Sequence, residues 1–233
     1  MHAMILAAGR GERMRPLTDT CPKPLLEVGG KPLIAWHIER LAAAGVTRLV
    51  INHAWLGHLV EARLGDGSQW GVHIQYSAET SALETAGGIA HALPLLGDAP
   101  FLVVNGDIFT DYDFRRLQPA LAAMARNPQQ TGHLVLMPKA DYPTGRDLAV
   151  DAQGFAKVSE PGDVPMTFAG IAAYSPAFFA DVPRNAPSPL LPHFLQAMHA
   201  KQMTAEVFSG QWLDVGTVER LAAANDLVRI TGQ

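Results

Sequence analysis

Leu6-Ala7-Ala8-Gly9-Arg10-Gly11-Glu12-Arg13-Met14-Arg15-Pro16-Leu17 follows directly on a short apolar run, Ala3 to Ala7, and this order decides the fold. An apolar run too short for a helix, ending in Gly-x-Gly, reads as a buried strand that delivers the chain to the carboxyl edge of a sheet. Open α/β sheets bind their ligands at that edge. Gly9 and Gly11 let the backbone approach a phosphate chain and turn its N–H groups toward it, while Arg10, Arg13 and Arg15 supply charge. Taken alone, Gly-x-Gly fits an ordinary surface turn equally well. A dinucleotide fingerprint would need glycine where Met14 stands, and a P-loop would need Gly-Lys-Ser/Thr where Arg13 to Arg15 stand, so both are excluded.

Working outward, Leu49 to Ile51, Val72 to Tyr76 and Phe101 to Val104 are further strand-like runs, and Leu33 to Ala44 and Ala86 to Leu93 between them have helical period. That alternation predicts a βαβ, mainly parallel sheet flanked by helices. Leu33, Trp36, His37, Arg40 and Leu41 share a helix face behind Pro32, which suits a first helical position, and Gly45 suits the C-cap. From Gly132 onward His133 to Met137, Phe155 to Val158, Thr167 to Tyr174 and Glu206 to Phe208 predict a mixed extension of the sheet. Val182 to Pro192, with Pro183, Pro187, Pro189 and Pro192, reads as an extended loop, and Val218 to Val228 as a helix.

The 233 residues suit one domain, and the formal net charge of -4 excludes a protein that holds nucleic acid through its overall field. Any phosphate site is therefore local, and between Gly9 and Lys31 the cations Arg10, Arg13, Arg15, Lys23 and Lys31 outnumber Glu12, Asp19 and Glu27. Cys21 is the only cysteine, which excludes an intrachain disulfide, a CxxC redox pair and a cysteine zinc site. No run approaches the roughly 18 apolar residues of a spanning helix, so a cytoplasmic protein without membrane partners is expected. The histidines form no His-x-x-x-His pair, and no Gly-x-Ser-x-Gly elbow exists.

Carboxylates at strand ends are the remaining chemistry. Asp107 closes Phe101-Leu102-Val103-Val104-Asn105-Gly106-Asp107, and Asp214 stands in Trp212-Leu213-Asp214-Val215-Gly216-Thr217. Two carboxylates suit Mg²⁺, which keeps several waters and takes one or two protein carboxylates plus substrate phosphates. Each aspartate alone fits a turn or helix cap as well.

Leu-Ala-Ala-Gly-x-Gly-x-Arg-Met-x-Pro-Leu-Thr followed by Pro22-Lys23-Pro24 resembles the signature of the nucleoside-diphosphate-sugar pyrophosphorylases, the sugar-1-phosphate nucleotidyltransferase family. Glu79 with Leu83-Glu84-Thr85-Ala86-Gly87-Gly88 resembles its base-binding segment, with Glu84 in place of a glycine, and Trp212 to Thr217 resembles its closing motif. The resemblance implies a Rossmann-like, mixed and mainly parallel sheet without a C-terminal β-solenoid, and the substrates UTP and a sugar 1-phosphate, with Mg²⁺ as cofactor. It implies that Ala8, Gly9, Gly11, Glu12, Arg13, Lys23, Glu79, Gly87 and Gly88 bind the nucleotide. Arg13, Lys23 and Asp107 are implied to be catalytic, Asp107 and Asp214 to hold the metal, and Asn105, Asp147, Glu160 and Gly170 to contact the sugar phosphate. Residues 1–131 would serve mainly the nucleotide and 132–233 mainly the sugar. Two departures stand out. Ser159-Glu160-Pro161 lacks the lysine of the usual Glu-Lys-Pro, leaving Lys157 and Arg146 as candidate replacements, and Phe168 replaces an asparagine. A guanylyltransferase is the competing reading within the family. A catalytically silent binding subunit is the competing reading outside it, against which intact Arg13, Lys23, Asp107 and Asp214 speak.

Overall fold

The computed structural model describes residues 1–139 and 147–231. In chain order the elements are β1 (His2–Leu6), α1 (Leu17–Thr20), β2 (Glu27–Val28), β3 (Lys31–Pro32), α2 (Leu33–Ala43), β4 (Arg48–His53), α3 (Gly57–Leu64), β5 (His73–Ala78), α4 (Glu84–Leu96) and β6 (Phe101–Asn105). There follow β7 (Ile108–Thr110), α5 (Gln118–Arg126), β8 (Gly132–Pro138), β9 (Leu148–Val150), β10 (Ala156–Val158), β11 (Met166–Tyr174), α6 (Leu190–His199), β12 (Met203–Val207), β13 (Trp212–Asp214) and α7 (Val218–Thr231). They form two units: Met1–Ala82 with Val104–Phe114 and Gln211–Gln233, and Leu83–Val103 with Arg115–Gly210. The units interleave along the chain.

In the first unit β1, β4 and β5 are parallel, with His2 beside Arg48 and Arg48 beside His73. β1 and β4 are buried on both faces, which is why their sequences are continuous apolar runs rather than alternating ones, whereas β5, at the sheet's edge, is more polar and only partly buried. β7 and β13 add a separate antiparallel pair, Ile108 opposite Asp214 and Thr110 opposite Trp212. Beneath this pair Met14, Leu26, Val28, Leu33, Trp36, Phe109, Val215, Ala224 and Val228 make one buried cluster, with Trp36 edge-on to Phe109 at 5.3 Å. Each large side chain there contributes about 1.5–3 kcal/mol by leaving water. Three of them adjoin expected site residues: Met14 follows Arg13, Val215 follows Asp214, and Phe109 lies two residues beyond Asp107.

The second unit is mixed. β8 is antiparallel to β11 and parallel to β12, and β9 is antiparallel to β10. Its core is aromatic: Tyr174 lies 4.9 Å from Phe178 and 5.2 Å from Phe179, and Phe168, at the family's asparagine position, packs edge-on to Phe194 at 5.3 Å.

Several boundaries differ from the sequence expectation. Pro32 is the N-cap residue (φ -53°, ψ 138°) rather than the first helical one, and Gly45 lies one residue beyond the C-cap, Ala44, at φ 89°. The proline-rich loop ends early because α6 starts at Leu190. Pro192 then sits in its first turn, where a missing N–H costs nothing. The strand expected at Glu206 begins at Met203 and excludes Phe208.

Candidate active site

The glycine-rich loop leaves β1 at Leu6 and turns at Gly11, whose φ of 72° disfavours any side chain. A Cβ on Gly11 would also lie 2.9 Å from Thr18 Cγ2 and 3.3 Å from Lys23 Cβ, so glycine is required twice over. Met14 N–H and the Thr18 hydroxyl both donate to the Gly11 carbonyl, at 2.9 and 2.8 Å. Ala8 and Gly9 stand just before this turn, and a Cβ on Gly9 would meet nothing within 4 Å. Glu12 and Arg13 are exposed. Arg10 is tied down instead: it donates to the Thr18 carbonyl at 3.0 Å and to Asp19 at 3.3 Å, and it stacks 3.8 Å over Trp55.

Pro22-Lys23-Pro24 enters a short 3-10 turn, Lys23–Leu25, with Pro22 extended at ψ 140°. The stiffened backbone carries Lys23 into a buried place, its side chain only 10% exposed, and Nζ reaches Asp107 Oδ2 at 2.8 Å across 84 residues of chain. Asp107 is placed by Gly106, whose N–H donates to Leu6 O at 2.8 Å. A Cβ there would collide with that oxygen at 2.7 Å. Asn105 ends β6 just before it, partly buried.

Asp214 comes to the same place through β13. Its pairing opposite Ile108 puts it one position from Asp107, and Val215 N–H donates to the Asp107 carbonyl at 2.8 Å. Asp214 Oδ2 accepts from Arg220 at 2.7 Å, and its side chain is 16% exposed. Gly216 leaves room for two charged groups: a Cβ on it would lie 2.8 Å from an Arg13 guanidinium nitrogen and 2.9 Å from Asp214 Oδ1. The first unit thus gathers Gly11, Arg13, Lys23, Asp107 and Asp214. The donor set, two carboxylates, fits a hard divalent cation that completes its coordination with other oxygens. Among the described residues there is no group of three or more His, Cys, Asp or Glu suited to a metal, so softer, fully protein-ligated sites have no candidate.

Below Asp107 lies His37 on α2, whose Nε2 meets the Ile108 carbonyl at 2.8 Å. Burial pulls its imidazole down to about 4, so near neutral pH it is uncharged, with Nε2–H as donor. Glu79, just after β5, is buried and accepts from Asn52 Nδ2 at 2.7 Å.

The remaining expected residues belong to the second unit. Gly87 N–H donates to Ser188 O, and a Cβ on Gly87 would meet Ala186 O at 2.6 Å, so its bareness admits a neighbouring backbone. Gly88 is buried in α4. Glu84, at the family's glycine position, adopts φ 56°, the conformation that explains why glycine is usual there. Gly170 has φ 73° inside β11, where the register with β8 shifts between Phe168 and Ala172, the signature of a bulge. Asp147 is exposed and paired with Lys139, and exposed Glu160 accepts from Lys157 at 3.4 Å. Lys157 is also held by Asp163 at 2.8 Å, and that contact raises its ammonium's pKa, so it is already engaged by two carboxylates. Arg146 lies outside the described residues.

Sequence reasoning missed Asn52, Arg220, Thr18 and Trp55. A signal existed for Asn52, a polar residue near the end of an apolar strand, as for Asp107. None existed for Arg220, whose partner is fixed only once β13 and α7 pack. Among the described residues no helix is long and apolar enough to cross a membrane.

The chain is 48% identical over 228 residues to N-acetylmuramate alpha-1-phosphate uridylyltransferase of Neisseria meningitidis serogroup B, covering 97% of this chain and 98% of that one. It is 33% identical to mannose-1-phosphate guanyltransferase of Yarrowia lipolytica, covering 93% of this chain and 61% of that one. A crystal structure of UDP-glucose pyrophosphorylase complexed with UDP-glucose superposes with a TM-score of 0.76 at 18% identity, over 99% of this chain and 98% of that one, which establishes the mixed α/β fold. Since the family model for nucleotidyl transferases also matches residues 2–145, the chain belongs to the nucleotidyl transferase family.

Proposed function

We propose that this protein transfers a uridylyl group from UTP to N-acetylmuramate α-1-phosphate, giving the UDP-sugar and pyrophosphate, a reaction of peptidoglycan recycling in the cytoplasm. The observation that carries a transferase reading is the Lys23 ammonium on Asp107 beside Asp214, with Arg13 at Gly216. The choice of substrates rests on the near full-length likeness to the Neisseria enzyme.

A sugar 1-phosphate is already an anionic nucleophile, so no general base is required. One of its phosphate oxygens forms a bond to the α-phosphorus of UTP, the α–β anhydride bond breaks, and pyrophosphate leaves with that electron pair. Lys23 and Arg13 offset the charge that moves onto the departing pyrophosphate, and the N–H groups of the Gly9–Gly11 loop orient the phosphate chain. Glu79 accepts a base N–H. Asp107 and Asp214 would hold Mg²⁺, which supplies charge neutralisation to the phosphate oxygens. On the sugar side we assign Asn105, Asp147, Glu160 and Gly170.

A second reading, GTP with mannose 1-phosphate, draws on one observation: guanine also presents N–H donors to a carboxylate such as Glu79. Pyrophosphate release, measured for UTP, GTP, CTP and ATP against a panel of sugar 1-phosphates with and without chelator, tests both. UTP with N-acetylmuramate 1-phosphate should give the highest kcat/KM, and chelation should abolish it. A higher value for GTP with mannose 1-phosphate would transfer the assignment. No release with any pair would leave a binding protein.

A further inference from the structure

Asn52, the last residue but one of β4, holds two groups at once. Its Oδ1 accepts from Ala7 N–H at 2.8 Å, and its Nδ2 donates to Glu79 Oε1 at 2.7 Å. Ala7 is where β1 enters the Gly9–Gly11 loop, and Glu79 follows β5, so one side chain links residues 45 and 27 positions away. The link is interior, with Asn52 4% and Glu79 9% exposed. Glu79 N–H also donates to His53 O at 2.8 Å, which ties its backbone to the same strand end.

The polarity of this chain of bonds leaves one arrangement. A backbone N–H only donates, so the amide oxygen of Asn52 must face Ala7. The amide nitrogen only donates, so Glu79 must meet it as an acceptor. A carboxylate at position 52 would still receive Ala7 N–H but would set oxygen against the Glu79 oxygen. An aliphatic residue would strand the buried Ala7 N–H, at a cost of about 1–3 kcal/mol.

We propose that Asn52 is a positioning residue that sets the class of nucleobase, by presenting Glu79 as a fixed acceptor to a ring N–H. The site then takes nucleoside triphosphates whose base carries that donor, uracil or guanine, and rejects cytosine and adenine, which offer a ring-nitrogen lone pair there. This inference rests on the nucleotidyltransferase reading and on Glu79 contacting the base. A buried acceptor facing another lone pair discriminates more strongly than apolar contact does, because the mismatch leaves both groups unsatisfied. The same amide ties base reading to the start of the phosphate loop, so a displaced Asn52 loosens both.

The test compares kcat/KM for UTP and CTP, each with a saturating sugar 1-phosphate, in the wild type, in Asn52→Asp and in the double variant Asn52→Asp/Glu79→Gln. The wild type should favour UTP by at least about 100-fold, the scale of a hydrogen-bonding pocket facing the wrong partner. Asn52→Asp keeps the acceptor for Ala7 and removes the donor to Glu79, and the UTP preference should fall at least about tenfold. The double variant restores the bond with donor and acceptor exchanged, leaving an amide carbonyl for the base, and should recover most of the preference. Lost stability alone would not move the ratio, and thermal melting of each variant separates the two effects. An unchanged ratio in folded Asn52→Asp, or a wild type that accepts CTP as readily as UTP, would overturn the role of Asn52. A wild type that releases no pyrophosphate from any nucleotide would instead overturn the transferase reading beneath it.

Discussion

Lys23, Asp107 and Asp214 of the first unit are brought together by contacts far apart in sequence, whereas the charged groups expected on the sugar side in the second unit are joined locally. Lys23 reaches Asp107 over 84 residues, and Asp214 reaches the strand beside Asp107 through β13. Lys157, Glu160 and Asp163 lie within one loop, and Glu160 N–H donates to Asp163 Oδ2 at 2.8 Å. The first arrangement cannot be moved without unpacking a core, because Met14, Phe109 and Val215 anchor it. The second consists of solvated ion pairs that water and salt weaken. Tertiary, preorganised charge therefore belongs to the first unit's carboxylate–lysine pair, and local, solvated charge to the second unit's loop.

The largest effect should come from the paired charges. Lys23→Ala should lower kcat by roughly 100-fold or more with little change in KM for UTP, as expected when a preorganised donor is lost. Asp107→Asn and Asp214→Asn should each fall at least as far. A Lys23 variant that raised only KM would make the residue a uniform binder and erase the contrast between the units.

Next is the support beneath the site. His37 has its folded value depressed to about 4 from 6.5, so the unfolded chain binds more protons between those pH values. Stability contributed by keeping His37 neutral is present above about pH 6.5 and is lost as pH falls toward 4, to a total of about 3 kcal/mol. Denaturant titrations at pH 7 and pH 4.5 should show this loss in the wild type and a smaller one in His37→Gln. Equal slopes would remove His37 from the account.

A smaller effect attaches to Arg220. If Asp214 holds the metal as proposed, Arg220 would compete with it for the carboxylate, so Arg220→Met should lower the Mg²⁺ concentration for half-maximal rate by about fivefold, the worth of one partly exposed ion pair. Mn²⁺ binding without substrates gives a second readout. Weaker binding would mean that Arg220 orients the carboxylate more than it competes for it.

Lys157→Met should change KM for the sugar phosphate by less than about fivefold, since Asp163 and Glu160 already hold the ammonium. A larger rise would restore Lys157 as the stand-in for the missing Glu-Lys-Pro lysine.

Much of this was legible before any coordinates. Gly11, Arg13, Lys23, Asp107 and Asp214 stand in motifs whose spacing is local, and the short apolar runs alternating with helical stretches announce a mainly parallel sheet. What was hidden has a common cause. β7 and β13 are three residues each, too short to show a period, so nothing in Trp212-Leu213-Asp214 says that it pairs with Ile108. Asn52 and Arg220 are ordinary polar residues until packing brings Glu79 and Asp214 to them. Prolines before α6 read as loop because a proline inside a first turn has the same local look as one outside it.

The β7–β13 pairing also has a consequence in time. Gln211 N–H bonds Asp111 Oδ1 across 100 residues, and the whole Arg115–Gly210 segment is made between them. At roughly 5–20 residues per second, the ribosome takes on the order of ten seconds to pass from Asp107 to Asp214. For that interval the nascent chain carries a phosphate loop, Lys23 and one carboxylate, but not the second. If Asp107 and Asp214 act together as proposed, the pair is completed in a single late event of synthesis, and a chain released before β13 emerges would lack it however well the rest had folded.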